Sequence, residues 1–392
     1  MKKIGSTEAA GVDQPGNDGN FFLNVKRGPF PRPPTVMITE ILVFGGTLMK
    51  KSSFLVGTMV LHTSLLTLGC GSSLSTESTP SEALNPANNP DGISFFEEPV
   101  ERRFDLLPRR SVASAGWYHG DYYPFSADGI ARRDDENSLS PAEKYDAAFH
   151  QGRSLAASWE RKHHGHARNP ESWEGHCNGV AAAITFAPEA KHTVTVNNVT
   201  FTPEDIKALL AEIFFASPTI MVGQRCEESL PSGDGQHRPT QSPCRDINPG
   251  AFHLALSHML GRKNAMVVAD ITQGEQVWNY PVREFHVVDT QDVSLQEARD
   301  LVDAPENLTL FSPQTVRYIK VRGEMIYLSH GNRTLSYDYI LEISPKGEII
   351  GGEWLGSSKT SHPDFLWRPQ TPGSGNPHIQ VETVKNLLFQ SL

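Results

Sequence analysis

One cysteine has a local sequence suited to covalent chemistry. Cys177 lies in the segment SWEGHCNGV, residues 172–180. A thiol attacks a carbonyl carbon as the thiolate, and a helix N-terminus lowers a thiol pKa through its unpaired N–H groups and macrodipole. Gly175 interrupts regular structure before the cysteine, and small and apolar residues follow it until Pro188. The pattern predicts a nucleophilic Cys177 at the start of a buried helix; the alternative is an inert structural cysteine.

A base and an orienting carboxylate are predicted downstream of the thiol. His253 follows the turn residues Pro249-Gly250 and is predicted to begin an apolar strand, and Asp270 ends the next predicted strand. A hairpin would place the imidazole and the carboxylate side by side, with His253 as base and Asp270 holding its tautomer. His176 and His258 are competing bases.

The histidine-rich stretch at residues 163–166 is a weaker candidate for chemistry. With Glu171 or Glu174 it could bind a metal, but the HExxH spacing of zinc hydrolases is missing. We therefore predict a solvated loop for this stretch, and metal ligands remain unassigned.

The elements expected to position these residues indicate an α+β fold. Ser140-Pro141 with Glu143, and Thr202-Pro203, are typical helix starts. Several alternating segments after His253 predict antiparallel strands: 265–270, 284–288, 315–321, 336–343 and 348–350. Helices first and sheet second, with the nucleophile on a buried helix packed on the sheet and the base on a strand, is the papain-like layout.

Composition argues against nucleic acid as a partner. The 392 residues include 35 basic and 45 acidic side chains, for a formal net charge of −10. The sequence contains no block of like charge that would indicate a basic footprint.

The first hundred residues contain export signals. Residues 49–70 have a basic start, an apolar core and a small residue before Cys70, which predicts a signal peptide with a possible lipoprotein processing site at Cys70. Residues 1–48 are predicted to be an over-extended start, 71–100 a flexible tether, 101–372 the catalytic domain and 373–392 a C-terminal tail. The protein is therefore expected to be secreted or attached to the cell envelope. A lipid on Cys70 would be its only contact with the membrane.

Two further cysteines are predicted to form a disulfide. Cys226 and Cys244 flank a polar segment that cannot build its own core. An exported protein can oxidise such a pair, and closing the loop would stabilise the fold by about 3 kcal/mol.

Several motifs resemble one known family. The segment VWNYPVREF, residues 277–285, is similar to the surface peptide VWNQPVRGF of the oomycete transglutaminase elicitors, with Tyr280 in place of Gln and Glu284 in place of Gly. The likeness extends over most of residues 102–369. It includes SPAEKY at 140–145, the cysteine segment, PGAFH at 249–253, GGEW at 351–354 and HPDFLW at 362–367.

The resemblance implies a papain-like transglutaminase acting on protein glutamine and lysine side chains. Cys177, His253 and Asp270 would be the catalytic residues. Four further residues are expected to bind substrate or the oxyanion: Trp173, Asn178, Trp278 and Asn279. The sequence requires no cofactor, but the resemblance makes calcium possible, although no EF-hand-like ligand pattern is present.

Other functions remain open from the residues alone. A deamidase or a cysteine protease would use the same acyl-enzyme chemistry with a different acceptor. If the protein is instead a non-enzymatic envelope lipoprotein, Cys177 has no catalytic role.

Overall fold

The computed structural model describes residues 100–114, 121–223, 246–272, 276–303 and 311–392. All of them belong to the second of two units into which the chain divides, Leu74–Leu392. The predicted N-terminal segment, signal peptide and most of the tether, together with Cys70, Cys226 and Cys244, lie outside the described residues. No helix among the described residues has both the length and the apolar character needed to cross a bilayer.

Helices dominate the first half of the described chain. Both predicted helix starts are confirmed: Ser140 and Thr202 cap their helices through capping boxes completed by Glu143 and Asp205. The helices are α1 (Pro141–Phe149), α2 (Ala156–His163), α3 (Cys177–Phe186), α4 (Pro203–Phe215), α5 (Pro249–Leu256), α6 (Leu295–Val302) and α7 (Val381–Ser391). A π-helical segment, Ser257–Arg262, continues α5.

Strands dominate the second half and form one curled antiparallel sheet. The strands are β1 (Arg110–Val112), β2 (Val194–Val196), β3 (Val199–Phe201), β4 (Thr219–Gly223), β5 (Val267–Asp270), β6 (Asn279–Val293), β7 (Arg317–Leu328), β8 (Asn332–Ile343), β9 (Ile349–Trp354) and β10 (Phe365–Pro369). Within the described residues the sheet order is β4-β10-β5-β6-β7-β8-β9, and β1 pairs with β6; β2 and β3 form a separate hairpin. The predicted mixture of helices and antiparallel strands is therefore correct.

The register of three neighbouring strands brings polar residues together at one end of the sheet. Asp270 at the end of β5 faces Asn279 at the start of β6. On its other side Asp270 faces Phe365 at the start of β10. Since directly opposed residues lie about 4.5–5.5 Å apart, this end of the sheet can present several polar groups to one point.

Helix α3 packs closely against α4. Its middle is a run of buried alanines, Ala181–Ala183. At Gly179 an added Cβ would overlap the backbone carbonyl oxygen of Ala211 in α4. Small side chains thus allow the two backbones to approach, and this contact sets the position of the first turn of α3.

The local structure differs from the sequence-based expectation at two places. His253 lies in helix α5, not at the start of a strand, because a short apolar run does not distinguish a buried helix from a buried strand. The segment 373–392, expected to be a tail, contains α7, whose Val384, Leu387 and Leu388 are buried.

Candidate active site

Cys177 is the first residue of α3 and faces the chain entering β6. Its Sγ lies 3.7 Å from the backbone oxygen of Val277 and 3.8 Å from Nδ2 of Asn279. Cys177 is a free thiol and is half-buried. The helix therefore presents the sulfur to the VWNYPVREF segment, residues 277–285.

The amide of Asn279 is oriented by a tryptophan on β10. The indole N–H of Trp367 donates to Oδ1 of Asn279 at 2.7 Å, and both residues are buried. An indole N–H can only donate, so the amide oxygen must face Trp367 and the NH₂ group must face the sulfur. Asn279 therefore acts as a hydrogen-bond donor towards Cys177.

Asp270 is a buried carboxylate held by the turn between β5 and β6. Its Oδ1 accepts hydrogen bonds from the Trp278 backbone N–H at 2.9 Å and from the Thr272 hydroxyl at 3.0 Å. The negative charge of Asp270 also acts on the Cys177 thiol. The carboxylate is therefore held in place by the turn and lies near enough to the predicted nucleophile to act on it electrostatically.

The surroundings of Cys177 favour its protonated form. Burial raises the thiol pKa above its ordinary value, and the Asp270 charge raises it further. The backbone and side chain of Asn279 and the backbone N–H of Asn178 act in the opposite direction. The donors at the helix N-terminus therefore lower the thiol pKa by less than burial and the Asp270 charge raise it.

His253 lies in a different part of the core. Its Nδ1 is 2.9 Å from the Tyr339 hydroxyl, and its ring contacts the rings of Phe104 and Phe285. Phe285 is six residues along β6 from Asn279, a separation of about 20 Å at about 3.3 Å per residue. Burial lowers the pKa of His253 to about 3. The structure thus brings Asp270, but not His253, to the region of the thiol.

The competing histidines are also engaged elsewhere. His258 is buried in the π-helical segment after α5. The ring of His176 is fully buried and points its Nε2 at Glu160, 2.6 Å away. Neither of these histidines makes a described hydrogen bond to Cys177.

The residues predicted to bind substrate or an oxyanion occupy different positions. The Asn178 side chain donates to the Phe215 carbonyl at 2.9 Å and ties α3 to α4, so only its backbone N–H faces the sulfur. Trp278 is half-buried and its ring packs against Tyr122 at 5.9 Å. Trp173 is half-buried in the turn before α3, and no described hydrogen bond or ring contact involves it.

A second cluster of titratable residues lies directly behind the cysteine. Glu160, His164, His176 and Glu212 are buried, and one ligand atom from each lies within 4.8 Å of the others. His164 is therefore not in a solvated loop, as its sequence suggested, whereas His166 is exposed. Glu160 and Glu212 were not among the residues predicted from the sequence; the signal for Glu160 was its i,i+4 spacing to His164 at the end of α2.

This cluster does not fit calcium. Ca²⁺ takes six to eight oxygen ligands, including water, whereas the cluster offers two imidazole nitrogens and two carboxylates in a buried site. It is the one group of three or more metal-type ligands within the described residues.

Comparison with known proteins identifies the fold and the family. The crystal structure of the GP42 transglutaminase from Phytophthora sojae superposes with a TM-score of 0.64 at 24% identity, covering 78% of this chain and 98% of that chain. No curated protein matches the sequence. The family model of the transglutaminase elicitors matches residues 150–391. Because that match spans more than half of the sequence, the chain belongs to the transglutaminase elicitor family.

Proposed function

We propose that this protein is a protein-glutamine γ-glutamyltransferase with Cys177 as nucleophile. The thiol attacks the γ-carboxamide of a glutamine side chain, ammonia leaves, and a lysine amine resolves the thioester. The observation that supports this most directly is the thiol at the first residue of α3, beside the oriented amide of Asn279 and the Asp270 carboxylate. Membership of the transglutaminase elicitor family agrees with it.

In the proposed reaction Asp270 accepts the thiol proton. At rest Cys177 is protonated, because burial and the Asp270 charge both raise the pKa of its thiol. As sulfur bonds to the carboxamide carbon, its proton passes to the carboxylate and then to the departing ammonia. The same carboxylate accepts a proton from the lysine amine when the thioester is resolved.

Two donors near the sulfur are suited to the oxyanion. The carboxamide oxygen gains negative charge when its carbon becomes tetrahedral. The Asn178 backbone N–H at the helix N-terminus and the Asn279 NH₂ group are both directed at the sulfur. Since Trp367 fixes the Asn279 amide before substrate arrives, little reorganisation is required.

His253 has a positioning role in the core in this proposal, not a role as the base. Its partner is the Tyr339 hydroxyl, and burial lowers its pKa to about 3, so the imidazole is neutral at neutral pH. It therefore contributes to the packing between α5 and β8.

Amine incorporation by the purified full chain tests the proposal. A fluorescent primary amine and casein serve as acceptor and glutamine donor, with and without added Ca²⁺. Cys177→Ala should abolish incorporation, and Asp270→Asn should lower kcat by about 10²- to 10⁴-fold. In His253→Gln, the rate constant per folded molecule should equal that of the wild type. Asp289→Asn changes an exposed aspartate on β6 and is the matched control for Asp270→Asn.

The same assay separates the alternative reactions. Unchanged incorporation in Cys177→Ala would exclude the assigned nucleophile. Ammonia release without amine incorporation would indicate a deamidase, and new amino termini in casein would indicate a protease. If His253→Gln is fully folded but reacts more slowly than the wild type, His253 and not Asp270 would be the general base.

A further inference from the structure

The buried cluster behind the thiol joins three helical segments. Glu160 lies in α2, His164 is the residue that ends it, and Glu212 lies in α4. His176 occupies the position immediately before α3. Whatever holds these four side chains together also fixes the residue next to Cys177.

The four ligand groups lie close enough together to share one small cation. His176 Nε2 lies 2.6 Å from Glu160 Oε1 and 3.4 Å from Glu212 Oε2. His164 Nδ1 lies 3.1 Å from Glu160 Oε2 and 4.0 Å from Glu212 Oε2. Tetrahedral zinc with bonds of about 2.0–2.1 Å requires ligand separations of about 3.3–3.4 Å. His176 and Glu212 already lie at that separation, whereas the 2.6 Å contact between His176 and Glu160 has to lengthen when the ion binds.

Glu212 is a buried carboxylate whose nearest cationic partners are the two histidines, His176 at 3.4 Å and His164 at 4.0 Å. Its side chain is fully buried, and neither carboxylate oxygen meets the geometry of a hydrogen bond with a described residue. The Asn376 backbone N–H and the Glu160 carboxyl group also lie near the Glu212 carboxylate. A buried carboxylate normally has a full set of hydrogen bonds, a counter-ion or a metal.

Aromatic rings pack against the imidazoles of the cluster. The ring of Phe125 stacks on His164 at 4.6 Å, and the ring of Phe215 contacts both imidazoles at 4.7 and 4.8 Å. Within the described residues, the ion pairs of Glu160 and Glu212 involve only these two histidines. Two ionised carboxylates, two neutral imidazoles and one dication would be electrically neutral.

We propose that Glu160, His164, His176 and Glu212 bind one divalent transition-metal ion, of which Zn²⁺ is the best match. Imidazole nitrogens and carboxylate oxygens are ligands that zinc accepts, and two nitrogens in a set of four are unlike the six to eight oxygens of calcium sites. The ion cross-links α2, α4 and the turn that carries Cys177. Its role is to position this turn, and the proposal is independent of the reaction that the thiol performs.

Metal content of the full chain is the first test. Protein purified from zinc-supplemented medium should retain about one Zn²⁺ per chain by inductively coupled plasma mass spectrometry. Removal by dipicolinate should lower the Tm, and Zn²⁺ but not Ca²⁺ should restore it. Cobalt substitution should give the visible absorption bands of a tetrahedral site.

Variants locate the ion. Glu212→Gln and His164→Gln should weaken Zn²⁺ binding by about 10- to 100-fold or more. His166→Gln, an exposed histidine two residues beyond His164, is the matched control and should bind normally. Cys177→Ala should also keep its zinc, which separates this site from the thiol.

The proposal is overturned by a wild-type protein that holds no stoichiometric zinc and whose Tm responds neither to zinc nor to chelator. The cluster would then be a proton-sharing network of two acids and two imidazoles. Zinc that is lost in Cys177→Ala but kept in Glu212→Gln would also overturn it. Because these measurements use metal content and Tm, failure of the amine-incorporation assay does not affect them.

Discussion

At the scale of single residues, Asn279 connects the thiol to the sheet. Its amide receives one hydrogen bond from Trp367 and directs its NH₂ group at Cys177. The asparagine is thus both a donor to the sulfur and a group whose orientation depends on a residue on another strand. A change at Trp367 can therefore affect chemistry without touching substrate.

Removing the indole N–H should reduce turnover. In Trp367→Phe the Asn279 amide loses the bond that orients it, so we expect kcat for amine incorporation to fall by about tenfold with KM unchanged. Asn279→Ala removes the donor and should lower kcat by about 10²- to 10³-fold. Trp354→Phe is the matched control, because it also loses a buried indole hydrogen bond, to the Ile247 carbonyl. Equal loss of kcat in both tryptophan variants would contradict the orienting role.

Glu342 on β8 makes stability depend on pH. Burial raises its pKa to about 7, although Oε2 accepts hydrogen bonds from the Ser312 N–H and the Thr315 hydroxyl, both at 2.6 Å. The folded protein therefore binds a proton more tightly than the unfolded chain. Its contribution to stability is largest below pH 4.5 and falls as pH rises to about 7, by about 3 kcal/mol in all.

Glu342→Gln should remove this dependence. A glutamine can accept the same two hydrogen bonds without ionising, so the free energy of unfolding should rise relative to wild type at pH 8 and change less at pH 4.5. Urea unfolding at the two pH values measures the difference. Glu382→Gln, at a side chain that is 79% exposed, is the control. A gain of equal size at both pH values would exclude ionisation as the cause.

At the scale of elements, the α3–α4 contact positions the nucleophile. Gly179 lies two residues after Cys177, and its missing side chain lets the Ala211 carbonyl of α4 approach. The Asn178 side chain adds a hydrogen bond to the Phe215 carbonyl in the same pair of helices. The first turn of α3 is therefore held by close backbone packing.

Gly179→Ala should disturb both stability and activity. The added methyl group meets backbone atoms, which cannot rotate away, so we expect a loss of about 1–3 kcal/mol despite the better helix propensity of alanine. Displacement of the first turn should also lower kcat. Thr185→Ala, later in the same helix, is the control. Thermal unfolding and amine incorporation measure the two effects; a more stable, fully active Gly179→Ala would show that the helices can separate at no cost.

Local sequence signals predicted some of these elements and not others. The caps at Ser140 and Thr202 act within four residues and could be identified without tertiary information. The segment around His253 has no polar face, so its periodicity could not distinguish a helix from a strand. The predicted catalytic partnership failed with it, because the helix directs the imidazole at Tyr339.

The buried cluster shows why the rest of the site could not be predicted. Glu160 and Glu212 are 52 residues apart (212 − 160), and only the tertiary fold brings their side chains together. In sequence each is an ordinary helical glutamate. Asp270 was recognised, but its place beside the thiol depends on strand register, which the motifs alone do not specify.

At the scale of the whole molecule, the site depends on both halves of the chain. Helix α3 supplies the thiol, while β5, β6 and β10 supply Asp270, Asn279 and Trp367. Helix α7, near the C-terminus, then returns to pack beside α4. The helical layer that supports Cys177 is therefore completed by the last residues of the sequence.

Deletion after Gln380 should consequently unfold much of the protein. The truncation removes the buried side chains of Val384, Leu387 and Leu388 and the Ser391 carbonyl, which accepts from the Lys191 and His192 N–H groups. At about 1.5–3 kcal/mol for each buried side chain, the loss approaches the total stability of a typical domain, about 5–15 kcal/mol. Circular dichroism and limited proteolysis of the truncated chain should show loss of cooperative unfolding and of amine incorporation. Phe389→Ala, at a position that is 77% exposed, should change neither. A truncated chain with the wild-type Tm would instead support a dispensable tail, because α7 would then contribute nothing to the core that holds α4 and, through it, the nucleophile.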